Sequence, residues 1–180
     1  RTPGRTSIGQ QNLDNLISLG VDHMDVSINP ITEKELTKQA FIRLGIPALP
    51  MHMALFSIPT KFALKLDIPL VIWGENSAYE YGGEDEDADS MKMTHKWLEK
   101  YGVNGGTAIS EWVSESLSMN DLHLYSYPSE SEIAEAGLSP VFLGYFFDWS
   151  PREAFELASK HGFKAAEHAV VGTYNFADID

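Results

Sequence analysis

Two carboxylates, an amide and three glycines fall within Gly74-Glu75-Asn76-Ser77-Ala78-Tyr79-Glu80-Tyr81-Gly82-Gly83, directly after the apolar run Ile68-Pro69-Leu70-Val71-Ile72-Trp73. A short β-branched run that breaks into a polar glycine turn is how a buried parallel strand delivers groups to a ligand. Gly74 allows close backbone approach. Glu75 and Asn76 bring groups suited to a nucleotide or to Mg²⁺, a hard cation that takes oxygen ligands. Glu80 and Tyr81 lead into Gly82-Gly83, whose backbone can turn N–H groups toward an anion. A plain polar strand-to-loop turn accounts for the same residues, and taken alone they leave both readings open.

Other candidates carry less. The acidic run Glu84 to Asp89 lacks the ligand order and central glycine of an EF-hand and reads as a solvated face. The six histidines include no pair spaced i, i+4 on one helix face and no zincin pattern. His52, between Met51 and Met53, is kept as a candidate substrate contact beside the more ordinary reading of a satisfied loop histidine. The chain has no cysteine, and Ser57, Ser110 and Ser114 have no nucleophile-elbow sequence, so covalent hydrolase chemistry is disfavoured. Neither a GxGxxG nor a Walker loop is present.

The elements that would position these groups follow from periodicity. Ile8, Leu13, Leu16 and Ile17 form a helical stripe between Ser7 and Leu19, ended by Gly20. Val21 to Ile28 alternates like a strand and closes at Asn29-Pro30. Thr32 with Glu35 predicts a capping box for a helix through Leu36, Ala40, Phe41 and Leu44, stopped by Gly45. Three prolines between Ile46 and Pro59 predict turns with short helix, and a helix starting at Pro59 and running to Lys65. A strand over Pro69 to Trp73 comes next. Helices are expected over Ser90 to Tyr101 and Thr107 to Leu117, and the aromatics Trp97, Tyr101 and Trp112 on them suggest a helical insertion or lid over residues 84–128. Val141 to Phe147 reads as a second buried strand, followed by a helix capped at Ser150-Pro151 and ended at His161-Gly162. Helix alternating with short apolar strand predicts an α/β chain on a parallel sheet.

At 180 residues and 43% hydrophobic, the chain is long enough for one domain with a core. Its formal charge of −13 argues against nucleic acid and anionic membrane as partners. No apolar run approaches the roughly 20 residues of a membrane helix, so no membrane span and a cytoplasmic location are expected.

Ile68 to Asn76, continued through Glu80-Tyr81-Gly82-Gly83, resembles the central block of the N-acetyl sugar amidotransferases of lipopolysaccharide and nonulosonic-acid biosynthesis, in the PP-loop ATP pyrophosphatase superfamily. Thr6 to Leu19, Gly20 to His23, Val141 to Trp149, His161-Gly162-Phe163 and Gly172 to Asp180 resemble its other blocks. The resemblance implies an incomplete Rossmann-like parallel sheet of the adenine nucleotide alpha-hydrolase type, spanning residues 1–180. It also implies that the Ser-Gly-Gly-x-Asp-Ser loop that grips ATP pyrophosphate lies upstream of Arg1, so the chain reads as an internal fragment, inactive by itself. Glu75 and Asn76 would be catalytic. Gly74, Glu75, Asn76, Glu80, Tyr81, Gly82 and Gly83 would bind the nucleotide, with Glu75 also on Mg²⁺. The implied reaction uses ATP and Mg²⁺ to adenylate the acetamido oxygen of a UDP-N-acetyl sugar; ammonia from a separate glutaminase subunit then displaces AMP to leave an acetamidino group. A different acceptor such as a tRNA base, which the acidic charge disfavours, and a non-catalytic binding module are the alternatives.

Overall fold

The computed structural model describes residues 6–74, 91–100, 104–148 and 150–165. They belong to two units, one drawn from Arg1–Ser27 and Trp149–Asp180, the other Ile28–Asp148.

In the first unit, α1 (Ser7–Ser18) starts where the Thr6 hydroxyl accepts from Gly9 N, and α6 (Pro151–Lys160) starts where the Ser150 hydroxyl accepts from Glu153 N with proline at the first turn. Asn12 ties the two ends of the sequence together: its Nδ2 donates to Lys164 O, and its Oδ1 accepts from Lys164 N, each at 2.9 Å. Val21 to Ile28, expected as a strand, runs without a ladder partner among the described residues. Alternation favours extended backbone, but a strand exists only where a neighbour completes its hydrogen bonds.

The second unit opens with α2 (Pro30–Leu44). Its cap is Asn29, whose side chain accepts from Ile31 N, and Pro30 occupies the first turn. The Thr32 capping box is therefore corrected: Thr32 lies inside the first turn and is buried. Gly45 ends the helix at φ +74, and its N–H reaches Phe41 O at 2.9 Å. The expected turns after Ile46 are replaced by one continuous helix, α3 (Leu49–Lys65), which contains Pro59. Proline removes one N–H and leaves the carbonyl four residues earlier without its partner. That residue is Leu55, which is exposed, so water can satisfy it.

Two parallel strands follow, β1 (Leu70–Trp73) and β2 (Ser139–Phe142), in register from Leu70↔Ser139 to Trp73↔Phe142. The second strand ends earlier than its apolar run, because Leu143–Tyr145 turns into a 3₁₀ helix. Between them lie α4 (His95–Lys100), 3₁₀ turns at Ile109–Trp112 and His123–Tyr125, and α5 (Glu130–Glu135). The helix expected over Thr107 to Leu117 is a 3₁₀ turn and then a tight Ser114–Leu117 bridge. Local bonds compete there with the helix ladder: the Glu111 carboxylate accepts from Ala108 N at 2.7 Å, and Thr107 accepts from Trp112 Nε1 at 2.7 Å. The described residues are thus mixed α/β with a two-stranded parallel sheet.

α3 serves two cores. Leu49, Met53 and Ala54 pack with Leu36 and Ala40 of α2 and with Trp112, Leu117, Leu122 and Tyr125. Phe56 packs with Trp73, Met93, Trp97, Leu98 and Phe142. Each fully buried Leu or Phe side chain contributes about 1.5–3 kcal/mol. Trp97 and Trp112, expected on an inserted helical piece, are side chains of these cores; Tyr101 lies outside the described residues.

Candidate functional site

β1 and β2 run the same way and end level with each other, so Gly74 follows the last paired residue at the carboxyl edge of the sheet. Gly74 is exposed, with open space where a Cβ would stand. Ligands of open parallel sheets bind outside this edge. Glu75, Asn76, Glu80, Tyr81, Gly82 and Gly83 lie outside the described residues. His52 is a half-buried position on α3, one residue from Met53, and does not line the cavity described next.

That cavity, of about 440 Å³, lies between α3, α4, the 104–109 loop and residues 125–127. Met53, Phe56 and Leu98, all nearly fully buried, supply its apolar part. Glu99, Asn104 and Glu111 add polar groups, and none of its described lining residues is a lysine or arginine. The loop that carries Asn104 is held by the reversal Asn104-Gly105-Gly106-Thr107. Both glycines have positive φ, Asn104 Oδ1 accepts from Gly106 N at 3.0 Å, and Thr107 N donates to Asn104 O at 3.2 Å. One oxygen of Glu111 is committed to Ala108 N.

His95 opens α4 and packs edge-on against Tyr127, ring centroids 5.2 Å apart. Its Nε2 lies 2.6 Å from Pro128 O. A carbonyl only accepts, so Nε2 carries the proton, and in the neutral ring Nδ1 keeps its lone pair.

Tyr125 donates to Glu33 Oε2 at 2.6 Å. Burial, followed by that bond and the Glu33 charge, raises the Tyr125 pKa. The Tyr127 hydroxyl points toward Thr60 but makes no well-formed hydrogen bond, and burial pushes its pKa up to about 12. Tyr127 also borders a second hollow with Lys61, Lys65 and Glu132. Burial lowers the Lys61 pKa, and the Glu132 carboxylate works against that shift. The Ser129 hydroxyl and N–H hold the Glu132 carboxyl below its ordinary value, closing a capping box at the start of α5.

Phe56 links the sheet edge to the cavity, because it touches the ring of Trp73, the residue before Gly74, and also lines the cavity. The lining residues come from segments between Met53 and Tyr127, with no local pattern to unite them. Among the described residues no group of three or more His, Cys, Asp or Glu side chains could hold a metal ion, and no helix is long and apolar enough to cross a membrane. No protein-family profile matches the chain, and no curated protein matches it.

Proposed function

We propose that the chain is part of an AMP-forming N-acetyl sugar amidotransferase of the PP-loop superfamily, built on a Rossmann-like sheet of which β1 and β2 are two strands. The observation that carries this reading is the parallel register that brings Gly74 to the carboxyl edge of the sheet, where such folds bind nucleotides. The open space around Gly74 fits a nucleotide lying against the backbone there.

In this reading ATP and a UDP-N-acetyl sugar are substrates, and a separate glutaminase subunit supplies ammonia. Mg²⁺ would neutralise charge on the transferred phosphate. On the same resemblance Glu75 is the residue that would hold that ion. Asn76 would hydrogen-bond the acetamido group, and Gly74 would let the nucleotide approach. Alignment of the acetamido oxygen with the α-phosphorus is the chain's main contribution to rate.

The test is AMP release by the full-length protein from ATP, ammonia and a UDP-N-acetyl sugar. Glu75→Ala should lower the rate by at least about a hundredfold, the scale expected for loss of an electrostatic group acting in the transition state. Unchanged turnover in Glu75→Ala would remove the assignment.

A further inference from the structure

We propose that Asn104 is a site of spontaneous deamidation in the folded protein, with the Gly105 nitrogen as the attacking atom and water as the co-reactant. Asn104 is the chain's one asparagine followed by glycine. Asn29 precedes proline, which has no N–H to attack with, and the other asparagines precede residues whose side chains crowd the approach.

The turn holds the reacting groups together. Asn104 Oδ1 accepts from Gly106 N at 3.0 Å, which folds the side-chain amide back across Gly105. An N–H only donates, so this bond also fixes which amide atom is the oxygen. It polarises the Cγ carbonyl and stabilises the charge that collects on Oδ1 as the tetrahedral intermediate forms. Thr107 N and Thr107 Oγ1 both donate to Asn104 O, at 3.2 and 2.7 Å, so the backbone flanking Gly105 is fixed as well. Neither Gly105 N nor Asn104 Nδ2 has a hydrogen-bond partner among the described residues, which leaves nucleophile and leaving group unencumbered. The contrast is Asn12, whose two amide atoms are both tied to Lys164.

Water has access, because Asn104 lines the cavity of about 440 Å³ and Gly106 is exposed. Hydroxide takes the proton of Gly105 N, and the nitrogen bonds to Asn104 Cγ. The Cγ–Nδ2 bond then breaks, and Nδ2 takes a proton from water and leaves as ammonia. The product is a five-membered succinimide. One water opens it at either carbonyl, giving aspartate or isoaspartate.

Each product changes the site differently. Aspartate adds a carboxylate to a lining that already contains Glu99 and Glu111 and, among the described residues, no lysine or arginine. Isoaspartate inserts an extra backbone carbon into a turn packed so closely that a Cβ on Gly105 would stand 2.9 Å from a Leu44 methyl. Close-packed interiors do not absorb an added carbon freely, so the isoaspartate form should melt below the parent protein.

The experiment incubates the full-length protein in mildly alkaline buffer and follows each asparagine by peptide mass spectrometry, with isoaspartate read by an isoaspartyl methyltransferase. The mass change from amide to acid should appear at Asn104 about tenfold or more faster than at the exposed Asn120, since glycine puts no side chain in the path and the turn supplies alignment. Asn104→Gln should remove the signal from this segment, because the longer side chain must close a larger ring. A parallel incubation in urea isolates the part played by the turn. Conversion of Asn104 in the unfolded chain but not in the folded one would show that the turn protects the amide and would overturn the proposal. Equal rates at Asn104 and Asn120 in the folded protein, no conversion in either state, or methyltransferase labelling undiminished in Asn104→Gln would overturn it too.

Discussion

The rings of Phe56 and Trp73 meet at 4.9 Å, which joins the middle of α3 to the last paired residue of β1. Trp73 is held there by packing alone, because its buried Nε1 has no hydrogen-bond partner among the described residues. Trp112 is held differently. Its Nε1 donates to Thr107 at 2.7 Å, and the Arg43 guanidinium lies 4.1 Å from its ring centroid. Replacing either tryptophan by phenylalanine removes similar volume, but only Trp112→Phe also breaks a satisfied hydrogen bond. Trp112→Phe is therefore expected to cost about 1–2 kcal/mol more than Trp73→Phe in urea denaturation. Equal losses would mean that the indole N–H of Trp112 adds nothing net.

Alkaline pH should weaken the fold. Tyr125 and Tyr127 hold their protons more tightly when folded than the ordinary value of 10.0, in both cases chiefly through burial. A raised folded pKa gives stability that is complete below pH 10 and is lost as pH rises through the folded value. For Tyr127 that window runs from 10 to about 12, with a slope of up to about 1.4 kcal/mol per pH unit. Lys61, whose pKa is lowered, acts in the opposite sense at high pH. The comparison with Tyr127→Phe is thus the readout: its urea midpoint should fall less steeply above pH 10 than that of wild type, and parallel curves would exclude Tyr127 as a source of the loss.

Gly105 combines a left-handed backbone, φ +64, with close neighbours. A Cβ there would stand 2.9 Å from a Leu44 methyl and 3.3 Å from both Leu49 methyls. Leu44 can swing away, but Leu49 is fixed in the core. Gly106 shares the backbone conformation, φ +67, and has open space around it. Gly106→Ala should cost about 1–2 kcal/mol for the backbone alone. Gly105→Ala should cost about 1 kcal/mol more for overpacking, with both read by thermal denaturation. The reverse order would show that the loop relieves the contact without loss.

Elements whose signal is carried by their own ends were legible in the sequence. Gly20, Gly45 and Gly162 stop helices, Ser150-Pro151 starts one, and Leu70 to Trp73 is a strand as its β-branched run predicts. What failed depends on partners or on competition. Val21 to Ile28 alternates but has no neighbour to pair with among the described residues. Asn29-Pro30 reads as the end of one element, and the same residues cap the next. Pro59 reads as a helix start, yet α3 passes through it, with the exposed Leu55 carbonyl open to water. Trp112 and Glu111 bond locally and divert a helical pattern into a 3₁₀ turn. Of Gly74 to Gly83, Gly74 alone is among the described residues, and it follows the last paired residue of β1. The cavity was not visible in the sequence: His95, Glu99 and Asn104 become neighbours of Phe56 only through tertiary packing, and no spacing rule joins them.

The pairing of Leu70 with Ser139 has a consequence for synthesis. Sixty-nine positions separate the two partners, so at about 5–20 residues per second β1 is made roughly 3–14 s before its mate exists. During that interval its backbone donors and acceptors have no β2 to meet, with Leu70 and Ile72 exposed even after pairing. The sheet can therefore close only after Phe142 has been made, which places its assembly late in the synthesis of this unit.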